Sequence, residues 1–126
     1  MTSTAVGRLA AVTLDCIDPK QLAAFYHGLT GLDLVHNSDE GCFLSGPDGG
    51  VAIAIQRVED FQPPKWPNQD IPAQIHLDID VKDLDEAERQ VIALGAVKPE
   101  HQPNEERWRV MLDPAGHPFC LAKFGG

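Results

Sequence analysis

The chain has 126 residues, a formal net charge of −9 and 43% apolar residues, which suits one domain, 1–126, with a core of its own. The acidic balance argues against nucleic acid and against an anionic membrane surface as partners, because both demand a basic stripe. The longest apolar runs, such as "VAIAI", are far too short to span a bilayer, and "MTSTAVGRLAAVTLD" holds no apolar run of signal-peptide length. A cytoplasmic location is expected. Cys16, Cys42 and Cys120 are odd in number and lack CxxC spacing, so they form neither a disulfide framework nor a zinc ribbon. Each reads as a small buried apolar residue.

The first element is the alternating "AVTLDC". Its phase sends Ala11, Thr13 and Asp15 to one face and Val12, Leu14 and Cys16 to the other. Asp18 then caps a helix that has Pro19 in its first turn and Gln21 three residues after the cap. Leu22, Phe25, Tyr26 and Leu29 recur at helical spacing, and Gly31 suits a left-handed C-terminal cap. Three strand candidates follow at about 32–37, 41–45 and 51–57, the last after the turn "GPDGG". The proline-rich stretch 59–72, with "FQPPKWPNQDIP", suits neither helix nor central strand and reads as a linker.

The same order then repeats. "QIHLDIDV", residues 74–81, alternates His76, Asp78 and Asp80 against Leu77, Ile79 and Val81. Asp83 caps a second helix, Glu86 stands three residues on, Leu84, Ala87, Val91 and Leu94 form its apolar stripe, and Gly95 closes it. Strand candidates at about 96–99, 107–112 and 118–124 follow, the last after "DPAGH". The expected architecture is therefore α+β: two paired βαβββ modules, about 8–58 and 73–124, too small to close a core singly. Each sheet lays one face on its helix, and the opposite faces curve around a central groove. In that arrangement His76, Asp78 and Asp80 are pocket wall.

Several side chains are candidates for that groove. Thr13 and Asp15 share its inward face, and clustering of Asp15, Asp78 and Asp80 would raise carboxylate pKa values. Solvation at the strand end is the simpler reading of Asp80, and of Asp15. Gln56 or Arg57 could orient an amide or carboxylate, with only one of them inward. Trp66, held between prolines in "PPKWP", is either a lid over the groove or a plug beneath the linker. Trp108 is preferred to Arg109 as the inward residue of its strand. Phe25 and Tyr26 belong to the helix–sheet core, and His117, in a turn, is structural. No GxSxG, P-loop or GxGxxG is present.

The double βαβββ pattern, "DPKQLAAFYHGLTGL", "IHLDIDVKDLDEAERQVIALGA" and the closing "DPAGHPFCLAKF" resemble the glyoxalase/bleomycin resistance/dioxygenase, or vicinal oxygen chelate, superfamily over about residues 8–124. "IAIQRV", "PPKWP", "HLDIDV" and "DPAGHPFCL" together resemble its small bacterial glyoxalase-like proteins. The resemblance implies the glyoxalase/bleomycin resistance/dihydroxybiphenyl dioxygenase fold and a homodimer. It also implies four metal-ligand positions, which fall on Ala11, a residue near Ile53, His76 and Cys120. Two are apolar, so no cofactor is expected. If a divalent metal binds, His76 and Cys120 are its ligands, joined by Asp78 or Asp15 only where side chains from different levels converge. The expected function is binding of a small organic molecule in the groove by Thr13, Asp15, Gln56, Trp66, His76, Asp78, Trp108 and Cys120. The alternatives are a glyoxalase-type lyase or isomerase that uses His76 as base or metal ligand, and a drug-sequestering resistance protein.

Overall fold

The computed structural model describes residues 8–123. The first half supplies β1 (Ala11–Cys16), α1 (Pro19–Thr30), β2 (Asp33–Asn37), β3 (Gly41–Ser45) and β4 (Ala52–Arg57). The second supplies β5 (Leu77–Asp80), α2 (Leu84–Leu94), β6 (Trp108–Leu112) and β7 (Pro118–Ala122). The strands form a four-stranded sheet in the order β1-β4-β3-β2 and a three-stranded sheet in the order β5-β7-β6. In each, the first and last strands of the half run parallel, β1 beside β4 and β5 beside β7. The α+β reading with repeated modules thus holds.

Both helices begin and end as their capping residues dictate. The Asp18 carboxylate accepts from the Gln21 N–H at 3.3 Å, and that of Asp83 accepts from the Glu86 N–H at 3.1 Å. These contacts satisfy donors that the first turn leaves without intrahelical partners. Gly31 and Gly95 end the helices at φ of 74° and 119°, where a Cβ would be strained.

The second half departs from the expected repeat at one strand. Residues 96–99 make only an isolated bridge, Val97 to Leu112, where the first half has β2 on β3. Pro99 follows two residues later with no N–H to extend the ladder. The loop beyond is held by a side chain instead: the Gln102 amide donates to the Val110 carbonyl at 2.8 Å and accepts the Val110 N–H at 3.0 Å. The strand carrying Asp78 is also shorter than expected, so His76 stands just before β5. β7 stops at Ala122, and residue 124 of the expected strand lies outside the described residues.

One core spans both halves. Leu14, Cys16, Leu22, Phe25, Tyr26, Leu44 and Ile55 join Val91, Met111, Phe119 and Leu121 in a single buried cluster. The Phe25 ring meets Phe119 edge-on at 5.7 Å, and Gly28 leaves room for Leu94 where the helices meet. Two polar ties reinforce the joint. Tyr26 donates its hydroxyl to Asp113 at 2.6 Å, and the His117 Nε2–H donates to the Asp15 carbonyl at 2.7 Å. Asp113 is buried, and its other oxygen accepts the Ala115 and His117 N–H groups, so its hydrogen-bonding capacity is well used. Phe25, Tyr26 and His117 are thus structural, as their positions suggest.

Candidate functional site

The linker determines where the cavity lies. Phe61 stacks near His117 with ring centroids 5.6 Å apart, and Pro63 packs so close to Gly116 that a Cβ there would lie 3.0 Å from it. Gly116 also has φ of 93°, so both space and backbone call for glycine in the "DPAGH" turn. The Lys65 N–H reaches the Ile71 carbonyl at 2.7 Å and closes a loop that carries Trp66. Trp66 in turn meets His101, ring to ring, at 5.4 Å. The linker therefore folds back over the second half.

Between linker and second sheet is a cavity of about 500 Å³, within the range of small-molecule sites. Trp66, Trp108 and Pro103 form walls, Ile75 lies at the rim, and His76, Asp78 and Cys120 lie on the floor. The alternation of β5 presents Asp78 here, whereas Leu77, Ile79 and Val81 pack partly buried against the core on the helix side. On β6, Trp108 and Val110 face the cavity, and Arg109 turns to α2, where it donates to Asp85 at 2.7 Å and Glu88 at 3.3 Å.

Five of the eight candidate residues line this cavity: Trp66, His76, Asp78, Trp108 and Cys120. Three do not. Thr13 and Asp15 line a smaller cavity of about 280 Å³ with Phe61, Pro64 and His117. Gln56 lines neither cavity, because its amide donates to Asp15 at 2.7 Å across the parallel ladder. The placement of Thr13 and Asp15 has a physical cause in the linker. The expected arrangement was a single groove with the linker at its mouth, and the folded linker instead divides the space into two cavities. Ala73, Gln74, Ile75, Pro103, Val110, Pro118 and Ala122 also line the larger cavity and escaped the sequence reading. Val110 and Ala122 were accessible to it by parity with Trp108 and Cys120; Pro103 was not, since it sits in a loop with no periodicity.

On the floor, His76 Nε2 is 3.3 Å from Asp78 Oδ1, and Asp78 is the register partner of Cys120. Burial and then the Asp78 carboxylate push the Cys120 thiol above its ordinary pKa. Burial pushes Cys16, on the helix side of β1, up to about 11. Neither thiol is a poised nucleophile in this state. No Lys or Arg lines the larger cavity among the described residues. The four-ligand pattern of the metal enzymes does not fit this chain. Ala11 carries no donor, and Ile53 is buried in the core with its side chain toward α1. The neighbours of Ile53 that share the open face, Ala52 and Ala54, carry none either.

The family model of the glyoxalase-like domain matches residues 11–122, and the chain belongs to that family. Solved structures agree on the fold. A glyoxalase/bleomycin resistance protein/dioxygenase family enzyme from Burkholderia phytofirmans PsJN superposes with a TM-score of 0.68 at 19% identity, covering 93% of this chain and 98% of its own. The fosfomycin resistance protein FosX from Listeria monocytogenes gives 0.68 at 20% identity, with 94% and 92% covered. A variant of that FosX, complexed with Mn(II) and dihydroxypropylphosphonic acid, gives 0.67 at 20%, with 94% and 90% covered. No curated protein matches the chain in sequence. Among the described residues, no helix is long and apolar enough to cross a membrane.

Proposed function

We propose that the protein is a cytoplasmic, bacterial glyoxalase-like protein that binds a small organic molecule between the second sheet and the linker, without the four-ligand metal centre of its enzyme relatives. The observation that carries this reading is the cavity itself: about 500 Å³, with aromatic walls and three polar side chains converging on its floor. Such a combination of apolar enclosure and few polar groups is what orients a small ligand. The net charge of −9 and the absence of Lys and Arg among the described lining residues favour a neutral or cationic compound over a polyanion. Sequestration is a sufficient activity for such a pocket, in keeping with the fold's occurrence in resistance proteins.

A second reading, a lyase or isomerase, draws on the His76–Asp78 contact at 3.3 Å, since a carboxylate that orients an imidazole is a common support for a general base. A homodimer is also proposed. It is supported by Phe43, 36% exposed on the face of the first sheet opposite α1, which a second copy would cover.

Native mass spectrometry of untagged protein tests the proposal. A dimer carrying a co-purified organic molecule, lost on Trp108→Ala with the fold retained, is the expected result. Binding that survives both Trp108→Ala and Trp66→Ala would place the ligand elsewhere and overturn it. Trp66→Phe further separates a lid from a plug: as a lid, the variant keeps its stability and loses part of the fluorescence response to the co-purified molecule.

A further inference from the structure

We infer that the smaller cavity, at the joint between the two halves, is a second binding site, for a small organic cation of the primary ammonium class. The cavity holds about 280 Å³, just under the ~300–1,000 Å³ of ordinary ligand sites, so it suits a short compound. Asp15 is the one carboxylate among the described lining residues, and no Lys or Arg stands beside it there. The alternation of β1 turns Thr13 and Asp15 away from the core, and Asp15 is half-buried rather than fully solvated. Gln56 donates its amide N–H to Asp15 Oδ1 at 2.7 Å, which orients the carboxylate and leaves Oδ2 for another donor. His117 does not supply that donor, because its Nε2–H goes to the Asp15 backbone carbonyl. Among the described residues, no cation pairs with the Asp15 carboxylate.

The other lining groups select the ligand. Thr13 carries a hydroxyl, and Gln62 and Gln74 carry amide carbonyls, all of which accept hydrogen bonds. A primary ammonium has three N–H donors, enough for Asp15 Oδ2 and two of these acceptors. Phe61 adds an aromatic ring that attracts a cation, and its neighbour is His117, with ring centroids 5.6 Å apart. Pro64, Ile71 and Pro72 of the linker supply apolar surface for an alkyl tail. That surface is wrong for magnesium or calcium, which surround themselves with oxygen ligands. An anion is disfavoured by Asp15 itself, and the net charge of −9 concentrates cations around the chain. Ala73, Gln74 and Ile75 line both cavities and form the partition between them. The two sites therefore adjoin, but Asp15 belongs to one and His76 to the other, and the smaller cavity fills without a ligand in the larger.

Propylammonium chloride is the probe, titrated at constant ionic strength into the whole protein labelled with nitrogen-15 and followed by two-dimensional NMR. The expected result is a saturable shift of the Thr13, Asp15 and His117 amide signals, while the Trp108 indole and the Cys120 amide stay in place. 1-Propanol, of the same size but uncharged, should bind about 10-fold or more weakly, the margin of a hydrogen bond to a charged group. Sodium propionate should not bind. Asp15→Asn should lower propylammonium affinity about 10-fold or more, with the rest of the spectrum unchanged. Phe61→Leu, which keeps an apolar side chain and removes the ring, should lower it about 2- to 5-fold, the share of an exposed cation–π contact. If Asp15→Asn does not fold, the ranking of propylammonium over 1-propanol and propionate at the Thr13 and Asp15 signals of the unsubstituted protein decides instead. Equal binding of all three compounds would overturn the inference, as would undiminished affinity in folded Asp15→Asn. Shifts centred on Trp108 and Cys120 would place the cation in the larger cavity and overturn it too. So would displacement of propylammonium by equimolar magnesium chloride, since the site would then be one for a metal ion.

Discussion

The two halves share one plan and spend it differently. In the first, α1 buries Pro19, Leu22, Ala23, Phe25 and Tyr26 against a four-stranded sheet. In the second, α2 buries only Ala87 and Val91 against three strands, and Leu77, Ile79 and Val81 beneath it are half-buried. The half with the thinner core also has the larger cavity and carries His76, Asp78 and Cys120. The contrast suggests a division of labour, with the first half as the packed base and the second, roofed by the linker, as the site. Packing that is incomplete in one module is tolerated because the cluster is continuous through Phe25, Phe119 and Met111.

The largest expected effect sets one half against the other. Leu22→Ala, at a position only 1% exposed, should cost about 2–5 kcal/mol in urea denaturation, as deletion of fully buried side chains does. Ile79→Ala, at a half-buried position, should cost no more than about 2 kcal/mol, the lower end of the same range. Equal losses would mean that the second half is packed as tightly as the first, and the comparison would break.

Much of this contrast was visible in the chain itself, and some was not. The Asp–Pro and Asp–x–x–Glu caps, the glycine stops and the strand parity come from local rules, so both helices and the facing of Asp78 and Trp108 were legible in the sequence. The fate of 96–99 was less so: its residues suit a strand, and only the register opposite Leu112 shows how little ladder precedes Pro99. The placement of Thr13, Asp15 and Gln56 depended on where a prolyl linker folds. That is set by contacts such as Pro63 on Gly116 and Trp66 on His101, which are remote in sequence and follow no periodicity. The grouping of His76, Asp78 and Cys120 needed one further fact, the pairing of β5 with β7, which strand parity alone does not provide.

The joint between the halves comes next in size. Tyr26→Phe leaves the buried Asp113 carboxyl without its hydroxyl donor and should cost about 1–3 kcal/mol, the penalty for an unsatisfied buried polar group. A smaller, pH-dependent effect comes from the same pair. Burial raises the folded-state pKa of Asp113 above the ordinary 3.8, so the folded protein holds this proton more tightly than the unfolded chain. Its contribution is then fully present below the unfolded value and is lost as pH rises through the folded one. Asp85 and Glu105, held low by Arg109 and Lys98, slope the opposite way. Asp113→Asn should therefore remove only the falling component, and the difference between its stability–pH curve and that of the unsubstituted protein should isolate it. Parallel curves would show that Asp113 titrates alike in both states.

The smallest effect concerns what the second half uses where the first has a fourth strand. Arg109 and Lys98 bring α2, β6 and the loop before β6 together. Arg109 donates to Asp85, Glu88 and the Glu105 carbonyl, and Lys98 contacts Glu88 at 3.0 Å and also Glu105. A charged cluster is a weak substitute for a strand, since exposed ion pairs gain little over their hydration and lose side-chain freedom. Arg109 is the member best placed to matter, with only 14% of its side chain exposed and three acceptors around it. Arg109→Ala should cost about 1 kcal/mol or less. Asp85→Asn should cost less still, because that carboxylate is largely exposed. Raising salt from ~0.1 M to ~1 M shortens the screening length from ~10 Å to ~3 Å and should erase most of the Asp85→Asn difference. The Arg109→Ala difference should persist in part, because the stem of the side chain packs on the α2 side of the sheet whatever the salt. Were both differences to vanish together, the contact would be purely ionic and the second half would have no packed substitute for the missing strand. Were neither to respond, Arg109 would act as a core residue, and the two halves would be more alike than their strand counts suggest.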